Sequence, residues 1–211
     1  MNKENVTIKD IARELEISPS TVSRALKDHP DISPDTKKLV SNLADKWNYR
    51  PNPIALSLKG GNSNTLGVVV PEIIHYFFSS VISGIEDYAN AHGYNVMICQ
   101  SNEEYEKEVK SIETLINSRV DGILVSMSKL TRNIDHFKQL SDRNTPLVFF
   151  DRVCKEIDSD SVVVDDEEGA YMAVKHLIME GRKRIVHLSG PPSLLITKAR
   201  IDGYIRALNE F

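Results

Sequence analysis

Apolar residues recur at helical spacing in three short windows near the start of the chain. Short β-type runs alternating with longer helical windows follow. In the first window Ile8, Ile11, Ala12 and Leu15 mark one helix face, and Thr7 stands where an N-cap belongs. Ser18 followed by Pro19 combines a capping hydroxyl with proline at the first helical position. The helix after it, from Pro19 to about Lys27, turns Val22, Ala25 and Leu26 inward. Ser33-Pro34 repeats that signal, and Leu39, Val40, Leu43, Ala44 and Trp47 give a third amphipathic helix. Trp47, the single tryptophan, is expected to close this small core.

Asn52 to Asn64 breaks the pattern. Asn52-Pro53 reads as a cap and first position, but only Ile54 to Leu58 follow before Gly60, Gly61, Asn62, Ser63 and Asn64. Five residues are too few for a helix stable alone in water, and the polar, glycine-containing stretch reads as a connector. Beyond it, β runs at Leu66–Val70, Val96–Cys99, Gly122–Val125, Leu147–Phe150, Val162–Val164 and Ile185–Ser189 alternate with helical windows. Those windows are Phe77–His92, Glu103–Ser118, Ile134–Leu140, Ala170–Met179 and Lys198–Asn209; in the first, Val81, Ile82, Ile85, Tyr88 and Ala89 share one face. Buried β runs separated by helices predict a parallel sheet covered on both faces.

Bulk properties sharpen this only a little. Net charge is −4, which by itself argues against nucleic acid. Residues 1–60, however, hold ten basic and eight acidic side chains, against sixteen and twenty-two in residues 61–211. The asymmetry is a weak pointer, and random scatter of charge is the alternative. The two cysteines, Cys99 and Cys154, are far apart; a reducing cytoplasmic compartment is expected, with both thiols as small core residues. The start MNKENVTIKD has no apolar core of a secretion signal, and no run approaches the ~18 apolar residues of a membrane span, so no membrane role is expected.

The stretch Thr7 to Arg24, TIKDIARELEISPSTVSR, is the informative one. It reads as two short helices joined by a tight turn, the second opening with small polar residues. Such a helix can enter the DNA major groove and present its first turn to base edges. Thr7–Asn52 resembles the headpiece of the lactose repressor/galactose repressor family of bacterial regulators. The likeness continues through Ala55-Leu56-Ser57-Leu58, Thr65–Pro71 (TLGVVVP), Asp165–Pro191 and Ala199–Tyr204.

This resemblance implies an N-terminal all-α helix-turn-helix headpiece plus an α/β parallel-sheet, periplasmic-binding-protein-like core. That core is expected to be incomplete at the C-terminus, because family cores are longer and their first subdomain takes back later strands. The expected division is a headpiece at 1–51, a hinge helix and linker at 52–64, the N-terminal subdomain of the core at 65–162 and part of the C-terminal subdomain at 163–211. The function implied is a DNA-binding transcriptional repressor, homodimeric on near-palindromic double-stranded operator DNA and gated by a small sugar-like effector. No enzymatic activity is expected. The alternative is a solute-binding α/β protein without regulatory DNA binding.

By position in the family, Pro19 and Ser20 point into the groove. Pro19 offers only apolar contact, for instance with a thymine methyl, whereas Arg24 has the fork for guanine or phosphate. Thr21 and Ser23 are expected on phosphates, as are Thr7, Ser18, Tyr49 and Asn52, with plain capping as the other reading of Thr7 and Ser18. Leu58 matches the hinge leucine that wedges between base steps in the minor groove, the alternative being a residue packed on the headpiece. Where the family often has arginine this chain has Leu56, a loss that Lys59 offsets in part.

The same matching places Phe77, Phe78, Ser126, Asp151 and Arg200 near the effector cleft. There aromatic faces would stack on a ring while carboxylate and guanidinium fix hydroxyls. Each has a plainer reading: the phenylalanines as core, Asp151 as a turn cap, Arg200 as an ion-pair partner of Asp202 or Glu210. Asp165-Asp166-Glu167-Glu168 reads as the acidic first turn of a helix rather than a metal site. The six histidines show no ligand spacing, no phosphate-cradling glycine motif or nucleophile elbow occurs, and no cofactor is expected.

Overall fold

The computed structural model describes residues 6–50 and 62–211, so the readings at Asn52, Leu56, Leu58 and Lys59 lie outside the described residues. The chain divides into two compact units, residues 1–61 and 62–211.

In the first unit α1 (Ile8–Glu14), α2 (Pro19–Leu26) and α3 (Pro34–Lys46) each open on the expected cap. Thr7 forms a reciprocal box with Asp10, and the hydroxyls of Ser18 and Ser33 accept from the amides of Thr21 and Thr36 at 3.0 and 3.3 Å. Each helix also ends alike. Glu16, Asp28 and Asn48 take left-handed backbone at φ 53, 53 and 49°, and the next amides, of Ile17, His29 and Tyr49, reach back to the carbonyls of Ala12, Arg24 and Ala44. That pattern satisfies carbonyls the helix would leave unpaired, here without the glycine that usually makes it easy. Ile11, Ala12, Val22, Ala25, Val40 and Ala44 form the core, and Trp47 packs against it as expected. Leu26 and Leu39 were expected inward but are exposed. They lie on the flanks of faces centred on Val22/Ala25 and Val40/Ala44, where a ~100° step per residue carries them off the seam.

The second unit is built on one parallel sheet in the order β2-β1-β3-β4-β5. Its strands are β1 (Thr65–Val70), β2 (Asn95–Gln100), β3 (Gly122–Val125), β4 (Leu147–Phe150) and β5 (Asp160–Val162). Alternation along β1 sends Val69 to one face, with Ile112, Leu115, Phe137 and Leu140 of α5 (Tyr105–Asn117) and α6 (Asp135–Asp142). Val68 and Val70 go to the other, with Phe78 and Ile82 of α4 (Tyr76–Ala91). Gly67 lets α5 approach closely, since a Cβ there would stand 2.7 Å from Leu115 Cδ1. Tyr88, expected on the buried face of α4, is instead exposed and stacks on His92 one turn later, ring centroids 4.2 Å apart.

Two β expectations are corrected. The strand expected at Val162–Val164 lies at Asp160–Val162, pairing with β4 through Val162 opposite Phe150. The run Ile185–Ser189 forms no strand. No described segment offers it a backbone ladder, so its alternation survives only as exposure, with Val186 and Leu188 outward and Ile185 against α7 (Asp166–Met179) and α8 (Leu195–Glu210). At Gly203 those two helices meet almost backbone to backbone: an added Cβ would fall 2.1 Å from the carbonyl oxygen of Glu167.

Candidate nucleic-acid interface and effector cleft

α2 is amphipathic by construction. Val22 and Ala25 are buried against α1 and α3, which leaves Ser18, Pro19, Ser20 and Arg24 exposed and Thr21 and Ser23 half-exposed. Pro19 and Ser20 stand one turn before Ser23 and Arg24, so the four share one edge. Ser18 Oγ sits 2.7 Å from Ser20 Oγ and 2.8 Å from Thr21 Oγ1, which gathers three hydroxyls at the N-terminal end of the helix. There they add to the unpaired amides that make a helix start attractive to phosphate. Thr7 is exposed while its hydroxyl donates to Asp10 Oδ2 at 2.6 Å, so capping is its structural role within the unit. Tyr49 is half-buried against the three-helix core, and burial raises its phenol pKa.

In the second unit, ligands of open parallel sheets bind beyond the carboxyl ends of the strands. Ser126 and Asp151 lie there, immediately after β3 and β4. Ser126 is fully buried and its hydroxyl donates to Asp151 Oδ2 at 3.5 Å. Asp151 itself takes left-handed backbone at φ 59°. Burial pushes its carboxyl pKa upward and Asp166 adds to this, while Arg152, Arg200 and Ser126 hold it down. Asp151 lines a cavity of about 440 Å³ together with Lys155, Asp165, Leu195, Lys198 and Asp202. Arg200 lines a neighbouring, more apolar hollow with Asp166, His187 and Tyr204, where its Nε donates to Asp166 Oδ1 at 2.7 Å. Its ion-pair partner is therefore Asp166, not Asp202 or Glu210.

The phenylalanines part company. Phe78 is 4% exposed in the core beside Val68, Val70, Ile82 and Phe150, whereas Phe77 is 49% exposed and meets the Phe78 ring edge-on at 5.2 Å. Packing against the sheet accounts for Phe78; neither ring lines the cavity that Asp151 lines. The acidic run divides as a helix start should. Asp165 accepts the Glu168 amide at 2.9 Å, Asp166 pairs with Arg200, and Glu167 and Glu168 both pair with Arg206.

Sequence reasoning missed a polar network under the same sheet edge. Glu108 is fully buried and accepts from Ser128 N at 2.6 Å, Thr131 Oγ1 at 2.6 Å and His136 Nε2 at 3.0 Å. Glu103 holds Lys129 N at 2.8 Å and both its oxygens meet Arg152, at 2.8 and 2.9 Å. These bonds fix the loop between β3 and α6 that begins at Ser126.

A helix-turn-helix unit followed by a parallel α/β sheet with a cavity at its carboxyl edge is the arrangement expected of bacterial regulatory proteins that carry a sugar-binding domain. The chain belongs to the LacI family. Residues 7–52 match the family described as bacterial regulatory proteins, lacI family, and residues 63–211 match periplasmic binding proteins and sugar binding domain of LacI family. It is 37% identical over 206 residues to the HTH-type transcriptional repressor PurR of Vibrio atlanticus (strain LGP32), covering 97% of this chain and 61% of that protein. It is 34% identical to catabolite control protein A of Priestia megaterium, covering 98% of this chain and 62% of that protein. The chain thus spans about 61% of the length of such relatives. The fold matches the lac repressor dimer bound to operator and the anti-inducer ONPF with a TM-score of 0.83 at 24% identity, over 98% of this chain and 62% of that one. It also matches the transcription regulator CcpA of Lactococcus lactis with a TM-score of 0.63 at 32% identity, over 69% and 53%. These relatives are transcriptional regulators rather than enzymes, and no helix among the described residues is long and apolar enough to cross a membrane.

Proposed function

We propose that this protein is a cytoplasmic transcriptional repressor that binds double-stranded operator DNA as a homodimer and responds to a small sugar-like effector. The observation that carries the reading is the outward edge of α2, where Pro19, Ser20 and Arg24 are free of the headpiece core. Arg24 reads guanine or holds phosphate, Pro19 and Ser20 lie against base edges, and Thr21, Ser23, Ser18, Thr7, Tyr49 and Asn52 position the backbone. Leu58 enters the minor groove as a wedge, with Lys59 on the adjoining phosphates. In the core, Asp151, Ser126 and Arg200 hold effector polar groups. The chain is divided for these tasks into a headpiece at 1–51, a hinge at 52–64 and subdomains at 65–162 and 163–211. The names of the relatives, the HTH-type transcriptional repressor PurR and catabolite control protein A among them, support this reading.

Equilibrium binding to a random duplex pool at rising salt tests it. Phosphate contacts give a steep fall of affinity with salt. Absence of binding, or a flat salt response, would return the chain to the solute-binding class. Leu58→Ala is expected to weaken a duplex selected from that pool far more than random duplex.

A further inference from the structure

Asp121 stands at the amino end of β3, opposite the cleft, where it grips the root of the connector. Its Oδ1 accepts the Ser63 amide at 2.7 Å and the Ser63 hydroxyl at 3.0 Å, and its Oδ2 accepts the Asn64 amide at 2.9 Å. The backbone completes the clasp. Asp121 N donates to Thr65 O at 2.8 Å, Asn95 N donates to Asn64 O at 2.8 Å, and Asn64 takes left-handed backbone at φ 49°. A carboxylate suits this task because two oxygens serve three donors at once, and charge-assisted bonds are the stronger kind.

We infer that Asp121 is a positioning residue that sets where and in which direction residues 62–64 enter the sheet, and that sequence-selective DNA binding depends on this clasp. The strand is short and held at both ends. At its carboxyl end Ser126 N donates to Val69 O at 3.0 Å and its hydroxyl reaches Asp151. At its amino end Asp121 holds Ser63 and Asn64. About 16 Å of extended backbone separates the two, at ~3.3 Å per residue. Slippage by one residue would turn every β3 side chain to the wrong face, so the register of β3 fixes where Asp121 stands. Without the carboxylate, residues 62–64 keep their covalent path but lose the bonds that define its exit angle. Contacts that need both DNA-binding elements in register suffer, while loose phosphate contact does not.

This inference rests on the proposed reading of the chain as a DNA-binding regulator, and the test separates the two. The full chain selects duplexes from a random pool, and Asp121→Ala and Asp121→Asn are titrated against the selected and the random duplex. Both variants are expected to bind the selected duplex about tenfold more weakly, roughly 1.4 kcal/mol, with random-duplex affinity and its salt slope unchanged. Asp121→Asn is the isosteric variant and decides the matter if Asp121→Ala loses its circular-dichroism signature. A purely structural role would lower the melting temperature and leave the selected-to-random ratio at the wild-type value, which overturns the inference while the proposed function stands. If the wild-type chain selects no duplex, the proposed function fails and the inference with it.

Discussion

Arg200 Nε donates to Asp166 Oδ1 at 2.7 Å, joining α8 to the first turn of α7 across 34 positions of sequence. The arginine side chain is half exposed and the aspartate nearly buried. Arg200→Gln is therefore expected to cost no more than about 1 kcal/mol of stability, as solvent screens such pairs. It should also raise the Asp151 carboxyl pKa further, because Arg200 is one of the charges that hold it down. Urea unfolding and carbon-detected titration of the Asp151 carboxyl check the two halves.

Asp151 carries a sign of its own. Burial raises its folded pKa above the unfolded value, so the folded state binds the proton more tightly. Its contribution to stability is then lowest above the folded pKa and recovers as pH falls through that value towards the ordinary carboxylate range. Asp151→Asn removes the penalty and keeps a residue type that tolerates φ 59°. The variant is expected to melt at or above the wild-type temperature at pH 7, with the difference shrinking in acid. A variant less stable at neutral pH would contradict this.

Glu108→Ala strands three donors inside the protein: Ser128 N, Thr131 Oγ1 and His136 Nε2. Leaving a buried donor such as Ser128 N or His136 Nε2 unsatisfied costs about 1–3 kcal/mol. Chemical unfolding should show that loss, and Glu108→Gln, which keeps one acceptor, should lose distinctly less.

Ser18 and Ser33 cap successive helices with the same bond, yet only Ser18 lies beside the edge proposed to meet DNA. Ser18→Ala and Ser33→Ala should each destabilise the headpiece by about 1 kcal/mol. Only Ser18→Ala should also weaken DNA binding by more than its stability loss explains. Equal effects on DNA would leave Ser18 as a cap alone.

Where local chemistry decides structure, the sequence was readable. Ser18-Pro19 and Ser33-Pro34 start their helices where expected, and the runs at Gly122–Val125 and Leu147–Phe150 are strands to the residue. The helix stops were less readable because Glu16, Asp28 and Asn48 do by tertiary support what glycine advertises in sequence. Ile185–Ser189 has the residues of a strand but no neighbour to bond, and pairing is a property of two segments. Of the residues that the family resemblance put near a cleft, Ser126 and Asp151 lie directly after β3 and β4, while Phe78 packs in the core against the sheet. Glu103, Glu108 and Asp121 were invisible for another reason. Their partners lie roughly 20 to 60 positions away, and a lone acid gives no sign of what it will face.

The near-contact at Gly203 has a wider effect than its size implies. Because no methyl stands between α8 and the Glu167 carbonyl, the two helices lie close enough for Arg200 and Arg206 to reach their carboxylates. One missing carbon thus acts as a spacer gauge for the whole face. A carbon added there would meet backbone rather than a yielding side chain, so it would push the two helices apart and alter the hollow behind Arg200.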